Sequence, residues 1–462
     1  MMRGNSNNGG STLKQKMTKW VAMLVIPLLL VTTIEISPAM AETENEDLGL
    51  QVGAAILIDA KNGKILYEEN ADAPLGIASM TKMMTEYILF EAIEAGTISW
   101  DQEYHVNPYT YAISQDRRLS NVPLREDGTY TIRELYEAMA IYSANAATIA
   151  IAETIAGTEK EFLKLMNEKA EELGLVDYKF VNTTGLNNGH LQGMHPKGTG
   201  EEDENIMPAK SVAKLAYHLL HDYPEVLDMT KVNSKVFREG TPDAIKMDNW
   251  NFMLPGFVYE YEGVDGLKTG TTDFAGHSFT GTAERGDKRF ISVVMNAVDA
   301  KGVGSYEARF DATRKLFDYG FNQFTVEEFI PAGYKFEKQK TIDVYKGKED
   351  SVEIAVKDPV RMMVKTSDKD LYKPEIVFDE SKLKDGAIEA PLKKDTVVGH
   401  VNLVLSEGTD YGYIETDHQA VEVVTTEAVE KAGWFSLTLR AIGDFFVGIW
   451  ESATGFVKGL FS

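Results

Sequence analysis

Residues 74–85 are Pro74-Leu75-Gly76-Ile77-Ala78-Ser79-Met80-Thr81-Lys82-Met83-Met84-Thr85, and the rest of the chain is organised around them. If Ser79 opens a helix, Lys82 lies on the same face three residues later, where its amine can reach the Ser79 hydroxyl. A serine hydroxyl needs such a base to act as a nucleophile. The spacing alone does not single out Ser79, because Ser-x-x-Lys begins at Ser11, Ser79, Ser211 and Ser381.

Two further motifs favour Ser79 over the other three serines. Ser143-Ala144-Asn145 begins 64 residues after Ser79, and Lys268-Thr269-Gly270, the only Lys-Thr-Gly in the chain, begins another 125 residues on. An ordered set of three motifs is far more specific than one spacing. We therefore predict that Ser79, Lys82, Ser143 and Lys268 belong to one site.

Length and composition limit the class of protein. A chain of 462 residues is too long for one ordinary core, so we expect two globular domains with terminal appendages. The net charge of −24 repels nucleic acid and disfavours any polyanionic partner. The chain has no cysteine, which excludes disulfides, thiolate chemistry and cysteine-bound zinc.

Residues 1–41 have the pattern of a secretory signal peptide. Three lysines, Lys14, Lys16 and Lys19, precede an apolar stretch at 20–31, and Ala39-Met40-Ala41 provides a small-x-small cleavage site. The alternative is a retained membrane anchor, but the apolar stretch is shorter than the roughly 20 residues needed to span a bilayer. We therefore expect an exported protein.

Residues 42–322 are predicted to form an α/β (α+β) domain. Asn62-Gly63 lies between two apolar runs and predicts a β-hairpin. Thr131 to Glu134 is a capping box that opens a helical segment. Strand patterns return at Val264, and a helix containing Phe310 closes the domain. The order predicts an antiparallel sheet of about five strands with a helical insert.

Residues 325–425 contain short strand patterns, such as 341–345, 352–356 and 397–405, separated by charged turns. We predict a second domain that is all β, a small sandwich serving as a spacer. No catalytic set of side chains is evident in it.

Residues 428–462 are predicted to contain an amphipathic helix. Within this tail, from Gly433 onwards, the charged side chains fall on one helical stripe and apolar side chains occupy the opposite one. The four charged residues on that stripe are Arg440, Asp444, Glu451 and Lys458. A helix of this kind is expected to lie flat at a membrane surface, since spanning would bury the charges. The alternative is docking on the protein's own surface.

The base that activates Ser79 is predicted to be Lys82. None of the eight histidines lies in a triad motif, and His190 and His195 lack the spacing of a metal-binding pair, so we expect neither a metal nor a cofactor. A lysine can accept a proton only if its pKa falls from about 10.4 toward neutrality. Burial and a nearby cation both lower it, and Lys268 could be that cation.

From about residue 48 to 425, and into the tail, the chain resembles the serine D-Ala-D-Ala carboxypeptidases, the low-molecular-weight penicillin-binding proteins. The matching segments are Ile77–Lys82, Ser143–Asn145, Phe180–Leu186 and Asp265–Thr272. The resemblance implies a transpeptidase/β-lactamase-like catalytic domain, a β-rich second domain and a membrane-associated tail. It also implies removal of the terminal D-alanine from peptidoglycan pentapeptide stems, inhibition by β-lactams, and a peripheral position on the outer face of the bacterial cytoplasmic membrane.

The resemblance assigns catalytic roles to individual residues. Ser79 would attack the peptide carbonyl between two D-alanines while Lys82 takes its proton. Ser143, hydrogen-bonded to Lys82 and Lys268, would relay that proton to the departing D-alanine. Asn145 would hold the substrate backbone through its amide.

It also implies a binding role for the Lys-Thr-Gly strand. The backbone N–H groups of Ser79 and Thr271 would form the oxyanion hole. Thr269 and, by a looser alignment, Arg309 would bind the terminal carboxylate. The implied substrate-binding set is Asn145, Lys268, Thr269, Gly270, Thr271 and Arg309.

Three alternatives remain open at this stage: a β-lactamase, a DD-endopeptidase on the same scaffold, and a non-catalytic β-lactam or wall-binding sensor. Ala144 stands where class A β-lactamases have aspartate, and the Glu-x-x-Leu-Asn segment of those enzymes is absent from the sequence. Slow breakdown of a penicilloyl adduct follows from that difference. The intact Ser79, Lys82, Ser143 and Lys268 disfavour the sensor.

Overall fold

A computed structural model of the chain describes residues 46–415, 420–438 and 442. The predicted hairpin is confirmed, because β1 (Ala54–Asp59) and β2 (Ile65–Glu69) pair antiparallel on either side of Asn62-Gly63. Six short strands follow in the first domain and pair two by two. They are β3 (Pro74–Gly76) with β6 (Ile206–Pro208), β4 (Glu103–His105) with β5 (Thr129–Thr131), and β7 (Ser234–Phe237) with β8 (Ile245–Asp248).

The centre of the first domain is the predicted antiparallel sheet. Three long strands, β9 (Val264–Thr272), β10 (Gly276–Arg285) and β11 (Lys288–Met295), join the hairpin in the order β2-β1-β11-β10-β9. All four neighbouring pairs are antiparallel. Strand β9 is therefore an edge strand, and it contains the Lys-Thr-Gly motif.

Both faces of this sheet are covered by helices. Every residue of β1 is buried, with Ile56 and Ile58 on the side of the helical half and Ala55 and Leu57 on the side of the last helix. Successive side chains of a strand point to opposite faces, so a continuous apolar run suits a strand that is covered on both.

Eight α-helices lie among the described residues of the first domain, and five of them come between β3 and β6 as the predicted helical insert. The helices are α1 (Lys82–Glu94), α2 (Pro108–Ser114), α3 (Ile132–Tyr142), α4 (Asn145–Ala156), α5 (Glu159–Glu172), α6 (Ala209–Asp222), α7 (Val226–Thr230) and α8 (Tyr306–Gln323). The capping box at the start of α3 is confirmed: the Thr131 side chain accepts from the backbone N–H of Glu134, and the Glu134 carboxylate accepts from that of Thr131.

One local prediction is wrong. Ser79 does not open the α-helix: it lies in a 3₁₀ turn at Ala78–Thr81, and α1 begins at Lys82. The turn starts with Ala78 at a φ of 45°, a left-handed conformation that alanine rarely adopts. Contacts with segments distant in sequence, which contain Gly185 and Gly270, impose this conformation.

The second domain is β-rich, as predicted. Strand β12 (Phe324–Ile330) pairs with β15 (Val360–Lys365), and a seven-stranded sheet has the order β16-β19-β20-β14-β13-β18-β17. The remaining strands are β13 (Thr341–Tyr345), β14 (Ser351–Val356), β16 (Tyr372–Phe378), β17 (Leu383–Lys384), β18 (Ala387–Glu389), β19 (Val397–Leu405) and β20 (Val421–Thr425). Their inward valines and isoleucines form a separate core.

The chain ends lie largely beyond the described residues. The predicted signal peptide at 1–41 falls outside them, as does most of the predicted helix at 428–462, although residues 434–438 are helical. Among the described residues, no helix combines the length and the apolar character that crossing a membrane requires.

Candidate active site

The Ser79 turn is held against the segment Phe180–Leu186. Gly185 has a φ of 81°, and a Cβ atom there would lie 1.8 Å from the carbonyl oxygen of Ala78. Asn182 shapes this segment, since its Oδ1 accepts from the backbone N–H groups of Thr184, at 3.0 Å, and Gly185, at 2.7 Å. Only glycine allows so close an approach, which explains why the turn at Ala78 is stable in an unusual conformation.

The amine of Lys82 is fully buried and has three oxygen neighbours. Its Nζ lies 2.9 Å from Oγ of Ser79, 2.9 Å from Oδ1 of Asn145 and 2.7 Å from the carbonyl oxygen of Thr184. The last two can only accept hydrogen bonds. A neutral amine has two N–H donors and one lone pair, so donation to these two acceptors directs the lone pair at the Ser79 hydroxyl.

The pKa of Lys82 supports this neutral state. Burial lowers it well below the ordinary lysine value, and the nearby Lys268 cation lowers it further. The carboxylate of Glu86 acts in the opposite direction. These shifts favour a neutral Lys82, and its role as the base stays a prediction.

Ser143 is the second serine of the site. It ends α3 at a φ of 58°, and its Oγ accepts a hydrogen bond of 2.9 Å from Nζ of Lys268. The sequence analysis also expected a bond between Ser143 and Lys82. No such bond exists among the described residues, because Ser79, Asn145 and Thr184 already surround the Lys82 amine.

Asn145 is engaged at both ends of its amide. Its Oδ1 accepts from Lys82, and its Nδ2 donates to the backbone carbonyl of Ser120 at 3.0 Å. The side chain is buried at the start of α4. In this structure it orients the base, and the predicted contact with a substrate backbone stays a prediction.

Strand β9 brings the third motif to the serine. A Cβ atom at Gly270 would lie 2.6 Å from the carbonyl oxygen of Ile77, so the glycine lets β9 pack directly against the Ser79 turn. A cavity of about 80 Å³ opens between them. It is lined by Ser79, Ser120, Ser143, Trp250, Thr269, Thr271, Tyr306 and Arg309.

Arg309 supplies positive charge to this cavity although it is only 1% exposed. Its Nη1 donates to Oγ1 of Thr271 at 2.9 Å and to the carbonyl oxygens of Gly270 and Ser278, each at 3.2 Å. Burial lowers its pKa to about 10, which leaves it cationic at neutral pH. Arg309, the residue assigned by the looser alignment, therefore lies as a cation in the same cavity as Ser79.

Sequence reasoning missed several groups of the site. Ser120 and Thr184 contribute through backbone carbonyls, which have no sequence signal. Trp250 and Tyr306 form an aromatic wall, and they approach one another only in the folded chain. Glu86, one turn after Lys82 on α1, could have been noticed from its i,i+4 spacing.

No cluster of three or more His, Asp or Glu side chains in the described part of the chain is arranged to hold a metal ion. The groups around the Ser79 hydroxyl are a buried amine, a second lysine and an arginine. The fold and the site together define the class, a serine hydrolase with a buried lysine beside the serine.

Comparison with known proteins identifies the family. Residues 40–299 match the family model described as D-alanyl-D-alanine carboxypeptidase, and residues 324–431 match the C-terminal domain of penicillin-binding protein 5. D-alanyl-D-alanine carboxypeptidase DacF of Bacillus subtilis is 30% identical over 430 residues, 93% of this chain and 99% of that protein. The chain belongs to the D-alanyl-D-alanine carboxypeptidase family.

Solved structures agree with this assignment. The peptidoglycan synthesis regulatory factor (PBP3) from Streptococcus pneumoniae has a TM-score of 0.68 and 36% identity, covering 82% of this chain and 100% of that one. Penicillin binding protein 5 from Haemophilus influenzae has a TM-score of 0.64 and 25% identity, covering 83% and 98%. The predicted fold class, a penicillin-binding fold followed by a β-rich domain, is confirmed.

Proposed function

We propose that Ser79 is the nucleophile with which this D-Ala-D-Ala carboxypeptidase removes the terminal D-alanine from peptidoglycan pentapeptide stems. One observation supports this above all: the buried amine of Lys82 lies 2.9 Å from Oγ of Ser79, and its other two neighbours, Asn145 Oδ1 and the Thr184 carbonyl, can only accept hydrogen bonds. A serine at 2.9 Å from a buried neutral amine is an activated nucleophile. The catalytic unit is proposed to be residues 42–322.

Acylation follows from the geometry. As Oγ of Ser79 attacks the carbonyl carbon between the two D-alanines, its proton moves to Nζ of Lys82. The backbone N–H groups of Ser79 and Thr271 are proposed to stabilise the oxyanion, a contribution of about 2.7–4 kcal/mol per donor. The peptide bond then breaks, leaving an ester on Ser79.

Ser143 is assigned to the leaving group. Its hydroxyl accepts a hydrogen bond from Lys268 and lines the same cavity as Ser79. It is proposed to pass the proton collected by Lys82 to the nitrogen of the departing D-alanine, approaching the Lys82 amine only as the bond breaks. Water then attacks the ester with Lys82 again as base, which frees the enzyme.

The terminal carboxylate of the substrate is proposed to bind beside Thr269 and Arg309. Both line the same small cavity as Ser79, and Arg309 is a buried cation held by Thr271. A cavity of about 80 Å³ suits a group the size of alanine and excludes large side chains. Gly270 contributes close packing of β9 rather than a side-chain contact.

A labelled penicillin tests this function against the other hydrolases. We expect a long-lived penicillin adduct on the peptide that contains Ser79, because the sequence lacks the Glu-x-x-Leu-Asn segment that supplies the deacylating glutamate of class A β-lactamases. We also expect release of D-alanine from a pentapeptide. The measurements are peptide mapping by mass spectrometry and a D-alanine assay. Rapid turnover of the penicillin would identify a β-lactamase. Cleavage of cross-linked peptides without D-alanine release would identify an endopeptidase.

We also propose an exported protein held at the outer face of the cytoplasmic membrane by residues 428–462, with residues 1–41 as its signal peptide. The described start of the tail supports this, since Trp434 is 79% exposed and Phe435 is 63% exposed on a helical turn. Aromatic side chains of this kind favour a membrane interface.

Vesicle partitioning tests the anchor. We expect the chain from residue 42 to 462 to bind vesicles and the chain ending at 432 to stay in the buffer, because the apolar stripe is removed. D-alanine release from a soluble peptide should be equal in the two. Unchanged partitioning would refute the anchor and leave the enzymatic proposal intact.

A further inference from the structure

A buried carboxylate lies beside the base and takes no part in the mechanism described so far. Glu86 is 1% exposed, and neither of its carboxylate oxygens has a hydrogen-bond partner among the described residues. Burying an ionised carboxylate without partners is costly, so its charge must be offset by other charges or removed by protonation. Most buried carboxylates are hydrogen-bonded, and this one therefore requires an explanation.

The position of Glu86 is fixed by helix α1. Lys82, Glu86 and Phe90 are four residues apart in turn and lie on one stripe of the helix. The ring of Phe90 packs 5.4 Å from that of Tyr136, centroid to centroid, in a cluster that includes Trp100. Glu86 is thus placed between the amine of Lys82 and the aromatic cluster around Phe90, where water cannot screen its charge.

The titratable groups that face Glu86 come from three elements. Lys82 is on the same helix and Lys268 comes from β9, while α3 contributes the neutral Tyr136, whose buried hydroxyl has no hydrogen-bond partner among the described residues. Burial raises the pKa of Glu86 to about 7, while Lys268 and Lys82 oppose that rise. The interaction is reciprocal: the Glu86 anion raises the pKa of both lysines.

The balance of charge shows what the carboxylate could do. Lys82 must be neutral to accept a proton, and the Lys268 cation helps to keep it so. That cation is itself fully buried, and Arg309 adds a second positive charge nearby. Glu86 is the one anion that acts on Lys268 among the described residues. With Lys82 neutral, the pair of Lys268 and Glu86 carries no net charge.

We propose that Glu86 is a positioning residue whose carboxylate is the countercharge that keeps Lys268 protonated, so that its ammonium continues to donate to Ser143. It acts through space, because the three oxygen neighbours of the Lys82 amine are Ser79, Asn145 and Thr184. The consequence for activity rests on the function proposed above.

The pH dependence of acylation tests the proposal. In the wild type, kcat/KM should rise with pH as Lys82 loses its proton and fall as Lys268 loses its own. Glu86→Gln keeps the shape and removes the charge, so both lysines should deprotonate at lower pH. We expect both limbs of the profile to move by about one pH unit toward acid. Activity is then lost about tenfold on the alkaline side and gained by a similar factor on the acid side.

Two further variants complete this test. Tyr136→Phe removes the neighbouring unpartnered hydroxyl without changing charge, and it should leave both limbs in place. Glu86→Asp retains a carboxylate and should move the limbs back toward the wild-type positions. Equal loss at every pH in Glu86→Gln, with no displacement of either limb, would show a merely structural role and overturn the proposal.

A second measurement does not depend on activity. Thermal unfolding midpoints are compared for the wild type, Glu86→Gln, Lys268→Met and the double variant. If the two charges compensate one another, the double variant should lower the unfolding midpoint by less than the sum of the two single decreases. The double variant should also fold even where Glu86→Gln alone does not. Additive losses, or an unfolded double variant, would overturn the proposal. Absence of D-alanine release by the wild type would refute the proposed function and leave this comparison valid.

Discussion

Ser79→Ala is expected to abolish D-alanine release and the formation of a covalent penicillin adduct. The described residues offer Lys82 one hydroxyl at hydrogen-bond distance, that of Ser79, and an alanine leaves the site without a nucleophile. The loss of kcat should be about 10⁶-fold, the size of the loss found when the nucleophilic serine of a serine protease is removed. A D-alanine assay and intact-protein mass spectrometry measure the two effects.

Ser381→Ala is the matched control for this variant. Ser381 precedes Lys384 by the same spacing, but it lies in an exposed turn of the second domain with its hydroxyl bonded to Asp379 at 2.5 Å. Its loss should leave both activities unchanged. If Ser79→Ala released D-alanine at the wild-type rate, the assignment of the nucleophile would be wrong.

Lys82→Arg should lower acylation by about 10²- to 10⁴-fold, which is the contribution expected of a general base. The substitution keeps a long side chain that ends in nitrogen, but a guanidinium stays protonated and has no lone pair to offer. It therefore separates the function of a base from that of a cation. The rate of penicillin acylation, followed under single-turnover conditions, isolates this step from hydrolysis.

Lys169→Arg provides a control with another buried lysine. The amine of Lys169 is paired with Glu91 and Glu172, each at 2.6 Å, so a cation is what its surroundings require. Arginine meets that requirement, and activity should be close to wild type. Full activity of Lys82→Arg would contradict a neutral lysine as the base and would direct attention to another proton acceptor.

Local sequence signals predicted the elements whose causes are themselves local. Asn62-Gly63 predicted the first hairpin because a tight turn needs those two residue types, and Thr131 with Glu134 predicted the start of α3 through mutual capping. Apolar runs indicated the strands of the central sheet. These predictions are confirmed because the interactions involved join residues only a few positions apart.

Predictions that depend on distant contacts were less accurate. The helix was expected to start at Ser79, but Gly185 contacts Ala78 from about a hundred residues away and keeps the serine in a 3₁₀ turn. Ser143 was expected to bond both lysines and bonds only Lys268. In each case the outcome depends on contacts between segments that are distant in the chain.

The sequence by itself determined the chemical groups of this protein and the order in which they occur: a serine with a lysine three residues on, a second serine, and a Lys-Thr-Gly strand. Only the tertiary structure decided their charges and partners. A lysine becomes a base when burial and a neighbouring cation lower its pKa, and burial is a property of packed elements. Spacing along the chain places Glu86 one turn after Lys82, but only the packing of β9 against the Ser79 turn brings Lys268 into the same site.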